Sequence, residues 1–246
     1  MDTIGMKTVM KFNRPETLPE QSQWLASPTP EQLASTLAIT IADQLRNALL
    51  VRPRASLAVS GGRTPKVMLQ QLSQQQLDWH RVDITLADER WVHEGDSASN
   101  AALVRAWLLK NHASEAIFYP IYTGQKSALE GQQHCQQRLN AMHWPLDVLV
   151  LGMGNDGHTA SLFPLCPHLH NALSTDAICI ATCAPVAPTD RMTLSATTLK
   201  LAMHTHLHIE GDQKCQVLAH AINLKDPSQT PIYTFLQHPL AIHWCP

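Results

Sequence analysis

The feature that most limits how this chain folds is Val148-Leu149-Val150-Leu151 running into Gly152-Met153-Gly154-Asn155-Asp156-Gly157-His158. An unbroken apolar run of this length reads as a strand buried on both faces. Such a strand needs helices on both sides of its sheet, and the glycine-rich turn ends it sharply. Ligands collect at the carboxyl edge of an open parallel sheet, which is where this turn delivers Asp156 and His158. Histidine titrates near neutral pH, so it takes and returns protons readily. The alternative is a tight turn in which Asp156 caps a helix and His158 is incidental. Three glycines and a carboxylate around one histidine favour chemistry.

The rest of the chain alternates in the same manner. Leu33, Leu37, Ile41 and Leu45 mark one face of a helix over residues 31–50. Strands are expected over 56–59, 82–87, 117–122, 146–151, 177–182, 192–196 and 207–210. Helices are expected over 66–77, 101–110, 129–142 and 213–222, with a short one over 232–237. Ser99-Asn100 would open the second of these. The pattern predicts an α/β fold: a single three-layer domain spanning residues 1–246, with a mainly parallel open sheet and helices on both faces. Residues 124–131 and the C-terminus read as peripheral elaborations.

Composition narrows the partners. A hydrophobic fraction of 44% with 15% charged residues fits a sizeable core. The formal net charge is -2 and no block of basic residues occurs, which argues against nucleic acid. Any cationic role must fall to a few placed side chains. Cys135, Cys166, Cys179, Cys183, Cys215 and Cys245 form no C-x-x-C pair and read as reduced, mostly buried thiols of a cytoplasmic protein. Residues 1–16 lack the apolar core of a signal peptide, and no apolar run approaches the roughly 18 residues of a membrane span. No membrane partner is expected, and the chain is expected to act as a monomer or homodimer.

Ser60-Gly61-Gly62-Arg63-Thr64-Pro65 lies between a strand and a helix. Glycines admit an anion close to the backbone, and the first free amides of a helix favour negative charge. Pro65 suits the first helical turn and Thr64 the cap. Neither Walker nor dinucleotide spacing is present, so the loop reads as a cradle for one phosphate, or else as an ordinary tight turn.

In order along the chain, this loop, Asp88-Glu89-Arg90, Ser99-Asn100, the Gly152 to Pro164 stretch, Arg191-Met192-Thr193 and Gly211-x-x-Lys214 resemble one known family. It is the family that joins the glucosamine-6-phosphate isomerases to the 6-phosphogluconolactonases, and the resemblance covers roughly residues 30 to 225. It implies a phosphorylated sugar lactone as substrate, opened by hydrolysis in the oxidative pentose phosphate pathway, with no cofactor and no metal. It further implies His158, Asp156 and Asp88 as catalytic residues. Gly61, Gly62, Arg63, Thr64, Arg90, Asn155, Arg191 and Lys214 are implied to bind substrate, with Arg191 and Lys214 clamping the phosphate. Asn100 is expected to hold the loop or open its helix, and Glu89 to sit in a solvated loop.

Two positions separate the family's branches. The deaminases place a Glu where this chain has Phe163, and a Tyr where it has Arg90, so both favour the lactonase branch. A non-catalytic sugar-phosphate regulator is the rival of another class, but no DNA-binding module is visible. His204-x-His206-x-His208 would share one face if extended, as metal ligands do, yet no further ligand follows at a recognised spacing. The chain ends Ala241-Ile242-His243-Trp244-Cys245-Pro246, departing from the acidic close of many family members. That departure bears on packing at the C-terminus and not on the pocket.

Overall fold

The structure, a computed structural model, describes residues 14–246. The expectation about a signal-like core falls largely on residues 1–13, outside the described residues. The strands run Ser22–Ala26 (β1), Ala55–Val59 (β2), Val82–Leu86 (β3), Asp88–Arg90 (β4), Ile117–Phe118 (β5), Val148–Leu151 (β6), Cys179–Cys183 (β7), Asp190–Leu194 (β8), His204–Glu210 (β9) and Leu240–Cys245 (β10). The helices are Pro30–Val51 (α1), Pro65–Ser73 (α2), Asn100–Trp107 (α3), Ala128–Leu139 (α4), Leu169–Ser174 (α5), Ala196–Lys200 (α6), Asp212–Leu224 (α7) and Tyr233–Leu236 (α8).

One sheet has the order β1-β10-β9-β6-β2-β3-β5, and every pairing in it is parallel. This is the expected α/β architecture. Strands β2, β3 and β6 are buried at every position, as runs covered on both faces must be. Helix α1 shows how the sequence sets an element. Thr29 caps it by accepting from the Gln32 amide, Pro30 takes a first-turn position, and Leu33, Leu37, Ile41 and Leu45 form its buried stripe.

A second sheet, β4-β8-β7, is antiparallel and was not foreseen as a separate layer. It packs beside the carboxyl edge of the first, and both sheets contribute to one continuous apolar core. The outer edge of β7 is covered by α4: Gln132 accepts from the Ala181 amide at 3.0 Å and Gln136 from Ile178 at 3.0 Å. Two glutamines thus satisfy backbone donors that an open edge would leave to water. Residues 124–131 lead into this helix, and Gly131 lies against Trp91, so the segment is integral rather than peripheral.

The C-terminus is also a correction. Residues 240–245 form β10, inserted between β1 and β9, with Ile242, Trp244 and Cys245 buried. A short chain end without turn signals hides its strand character until the partner strands are known. The strand expected over 117–122 shrinks to Ile117–Phe118, because Pro120 cannot donate to a ladder. The helix expected over 66–77 stops at Ser73.

The triplet lies on one extended strand, β9. His204 is exposed while His206 and His208 are buried. His206 meets Gln44 of α1 at 2.8 Å and His243 of β10 at 3.0 Å; among the described residues His208 has no hydrogen-bond partner on either ring nitrogen, and its Nε2 lies 3.8 Å from Glu210 Oε1. Among the described residues, no group of three or more His, Cys, Asp or Glu is placed to hold a metal ion. No described helix is long and apolar enough to cross a membrane.

Burial pushes His206 and His208 down to about 4 and His243 to about 3. These values lie below that of an unfolded histidine, so the unfolded chain binds protons first as pH falls. The stability they contribute is complete above about pH 6.5 and is lost as pH falls toward 4. Urea unfolding from pH 7 to 4.5 should therefore show a steep fall in stability. His208→Phe, which breaks no hydrogen bond among the described residues, should flatten that slope by about one proton; an unchanged slope would place the acid sensitivity elsewhere.

Candidate active site

The carboxyl ends of β2, β6 and β9, joined by β4 and β8, surround a cavity of about 460 Å³. Each charged wall residue arrives by a different route. The turn after β6 carries His158. Its amide donates to Asp156 Oδ1 at 3.1 Å, and the ring Nδ1 lies 2.5 Å from the same oxygen. Gly154 makes this fold-over possible: a Cβ there would stand 2.1 Å from His158 Nδ1. Burial acts to raise the Asp156 carboxyl, but its bonds to His158 outweigh that and hold it below the usual carboxylate range. An ionised Asp156 accepts, so the proton of neutral His158 sits on Nδ1 and Nε2 is left with a lone pair.

Phe163 is wedged between His158, 4.4 Å away ring to ring, and the Arg191 guanidinium, 5.7 Å from its centroid. Arg191 is buried and uses Nε to donate to Pro188 O at 2.8 Å, which leaves both terminal amino groups for an anion. Burial lowers its pKa, with Asp88 opposing. Lys214, in the first turn of α7, donates to Met153 O at 2.7 Å and to Asn155 Oδ1 at 2.6 Å. Both acceptors are neutral, and an ammonium has a third N–H to offer. Burial lowers its pKa while Asp156 supports the charge.

Asp88, on the same β4–β8 ladder as Arg191, is buried and accepts from Ser161 Oγ at 2.5 Å. Arg90 donates to Ala98 O at 2.6 Å and stands in register with Arg191. Gly61 approaches Asn100 so closely that a Cβ would fall 1.8 Å from its Oδ1. Asn100 also donates Nδ2 to Asp88 O at 2.9 Å, tying the Gly61-Gly62 loop to β4.

Glu89 corrects the expectation of a solvated loop. It is completely buried and accepts amide bonds from Arg90 at 2.8 Å, Asn100 at 2.7 Å and Ala101 at 2.7 Å. The last two amides belong to the start of α3, so the carboxylate meets the positive end of that helix. Burial pushes its pKa up to about 7 against the pull of those amides. The charge run misled because alternation sends Asp88 and Arg90 to the cavity and Glu89 to the interior. Thr64 is a second correction: its backbone is already helical and it makes no side-chain cap bond, so Pro65 alone marks the start of α2.

Of the residues expected at the site, His158, Asp88, Gly61, Gly62, Arg63, Thr64, Arg90, Arg191 and Lys214 line the cavity. Asp156 and Asn155 stand behind it, holding His158 and Lys214. Sequence reasoning missed the wall formed by Ala184, Pro185 and Val186, and the contribution of Glu210. The pattern around residues 184–186 carries no polar signal, and only the antiparallel β7-β8 hairpin brings it to the rim.

An imidazole oriented by a carboxylate, sharing a sugar-sized cavity with two partly desolvated cations, suits proton transfer on a small anionic substrate. The family model described as glucosamine-6-phosphate isomerases/6-phosphogluconolactonase matches residues 28–244, and the chain belongs to this family. The chain is 43% identical to a 6-phosphogluconolactonase of Pseudomonas aeruginosa over 215 residues, covering 87% of this chain and 90% of that one. It is 42% identical to that of Rhizobium meliloti over 222 residues, covering 88% and 96%. A crystal structure of a 6-phosphogluconolactonase from Shewanella baltica superposes with a TM-score of 0.91 at 41% identity, covering 93% of this chain and 100% of that one.

Glu89→Ala would strand buried amides at the head of α3 and should destabilise the fold by about 3 kcal/mol or more in urea titration. A loss under about 1 kcal/mol would show that the carboxylate does not anchor the wall.

Proposed function

We propose that this chain hydrolyses 6-phospho-D-glucono-1,5-lactone to 6-phospho-D-gluconate, in the oxidative pentose phosphate pathway, working as a single domain. The observation that carries the reading is His158 Nδ1 held 2.5 Å from Asp156, with the ring on the wall of a cavity shared with Lys214 and Arg191. Neutral His158 takes a proton at Nε2 from a water that attacks the lactone carbonyl. Asp156 stabilises the imidazolium that forms. Arg90 or backbone amides of the turn receive the oxyanion. His158 then returns the proton to the ring oxygen as the C–O bond breaks.

The remaining roles divide by chemistry. Lys214 and Arg191 grip the phosphate, one as a point charge and the other as a planar fork, with the Gly61-Gly62 loop, Arg63 and Thr64 around it. Asp88, fixed by Ser161, faces the sugar hydroxyls. Asn155 acts through Lys214, and Asn100 through the loop. A lactone is an activated ester, so water and a histidine suffice without a metal. Phe163 in place of the deaminases' Glu supports the lactonase branch over amino-sugar deamination. The proposal involves no nucleic acid or membrane partner, a monomer or homodimer, and a cytoplasmic setting.

The test is turnover of freshly generated 6-phosphogluconolactone, corrected for spontaneous hydrolysis. Lys214→Ala and Arg191→Ala should each weaken use of the phosphorylated lactone by roughly 1.5 to 3 kcal/mol in kcat/KM, and leave unphosphorylated gluconolactone little changed. Equal losses on both would remove these residues from the phosphate end. Turnover should survive dialysis against a chelator, and no ammonia should appear from glucosamine 6-phosphate. Loss of activity that zinc restores would instead establish a metal mechanism.

A further inference from the structure

Among the described cysteines, Cys166 and Cys183 stand apart. Cys135, Cys179, Cys215 and Cys245 are buried, whereas these two are partly exposed, and their sulfurs lie 3.2 Å apart. They are 17 residues apart in the chain, on two segments that reach the cavity through Phe163 and Ala184. Cys166 follows Phe163 by one short turn, in which Leu165 has a φ of 61°. Cys183 closes β7 and leads directly into Ala184, Pro185 and Val186 on the rim. Opposite it, Asp190 pairs with Cys183 in register, one residue before Arg191. A separation of 3.2 Å leaves the sulfurs little more than 1 Å from covalent bonding distance.

We propose that Cys166 and Cys183 form a reversible thiol–disulfide modification site, oxidised by hydroperoxides, that ties the turn after Phe163 to the 184–188 rim of the cavity. The two thiols are unequal partners. Burial acts to raise Cys166, but bonds with Thr182 Oγ1 at 3.4 Å and with Cys183 outweigh it and leave the thiol below its ordinary value. Its bond to Cys166, and then burial, push Cys183 up to about 11. Cys166 is thus the attacking sulfur and Cys183 the resolving one.

The chemistry balances with hydrogen peroxide as oxidant. The Cys166 thiolate attacks one peroxide oxygen, an S–O bond forms and the O–O bond breaks. The departing hydroxide takes the proton released from the thiol and leaves as water. Cys183 sulfur then attacks Cys166 sulfur, the S–S bond forms, the S–O bond breaks, and the hydroxyl leaves with the Cys183 proton as a second water. Two thiols and one peroxide give one disulfide and two waters. The sulfur hydrogen bonds run to Thr182 and between the two cysteines, not to His158, Lys214 or Arg191, so the site stands whether or not the proposed lactone is the substrate.

The reduced protein would be exposed to stoichiometric hydrogen peroxide, alkylated, digested and weighed. A linked pair of peptides carrying Cys166 and Cys183, released by dithiothreitol, is expected. In Cys183→Ser, Cys166 should instead stop at sulfenic or sulfinic acid, and in Cys166→Ser no bridge should form. Amide hydrogen exchange over residues 184–189 should slow by about threefold or more in the bridged protein, with α1 unaffected. Recovery of both cysteines as alkylated thiols, a bridge between other cysteines, or bridged protein with unchanged exchange in 184–189 would overturn the proposal.

Discussion

The amides of Arg90, Asn100 and Ala101 converge on the buried carboxylate of Glu89, and one wall of the cavity depends on those three bonds. They dock the start of α3 onto β4, and so set the position of Asn100. From there Asn100 fills the space under Gly61 and holds the backbone of Asp88. A phosphate-type loop from the first sheet and a carboxylate from the second are thereby fixed to each other through one asparagine. An unpaired carboxylate at that depth would cost far more than its bonds return. Its place at a helix head turns that liability into an anchor.

Charge is arranged differently at the two edges of the large sheet. At the amino edge Arg54 pairs with Asp83 at 2.5 Å and Arg52 with Asp147 at 2.5 Å, so the cations are neutralised within the protein. At the carboxyl edge, among the described residues, Lys214 and Arg191 donate only to neutral carbonyl and amide oxygens. Both are partly desolvated, which strengthens their pull on an entering anion. On the same edge Asp156 is engaged with His158 and Asp88 with Ser161, so neither carboxylate quenches those cations directly.

Much of this was legible in the sequence because it lies in local patterns. The apolar run 148–151, the stripe on α1 and the glycine turns each declare themselves within a dozen residues, and the motif around His158 carries its own geometry. The elements that escaped depend on partners far along the chain. Strand β10 takes its identity from β1 and β9, and β4 from β8, so neither has an internal period strong enough to read. Glu89 was misplaced for the same reason, since the donors that make its burial tolerable come from Asn100 and Ala101. Sequence pointed to Asp156 as the support of His158, but only the folded turn shows that Asn155 holds Lys214 rather than lines the cavity.

The central claim is that His158, oriented by Asp156, moves the proton from the attacking water. The direct measurement is the pH dependence of kcat on freshly generated 6-phosphogluconolactone for the wild-type chain and His158→Ala. The account predicts a loss of about 100-fold or more in kcat with KM within a few-fold, and disappearance of the ascending limb of the profile. A variant that keeps near-normal kcat, with the limb intact, would contradict it.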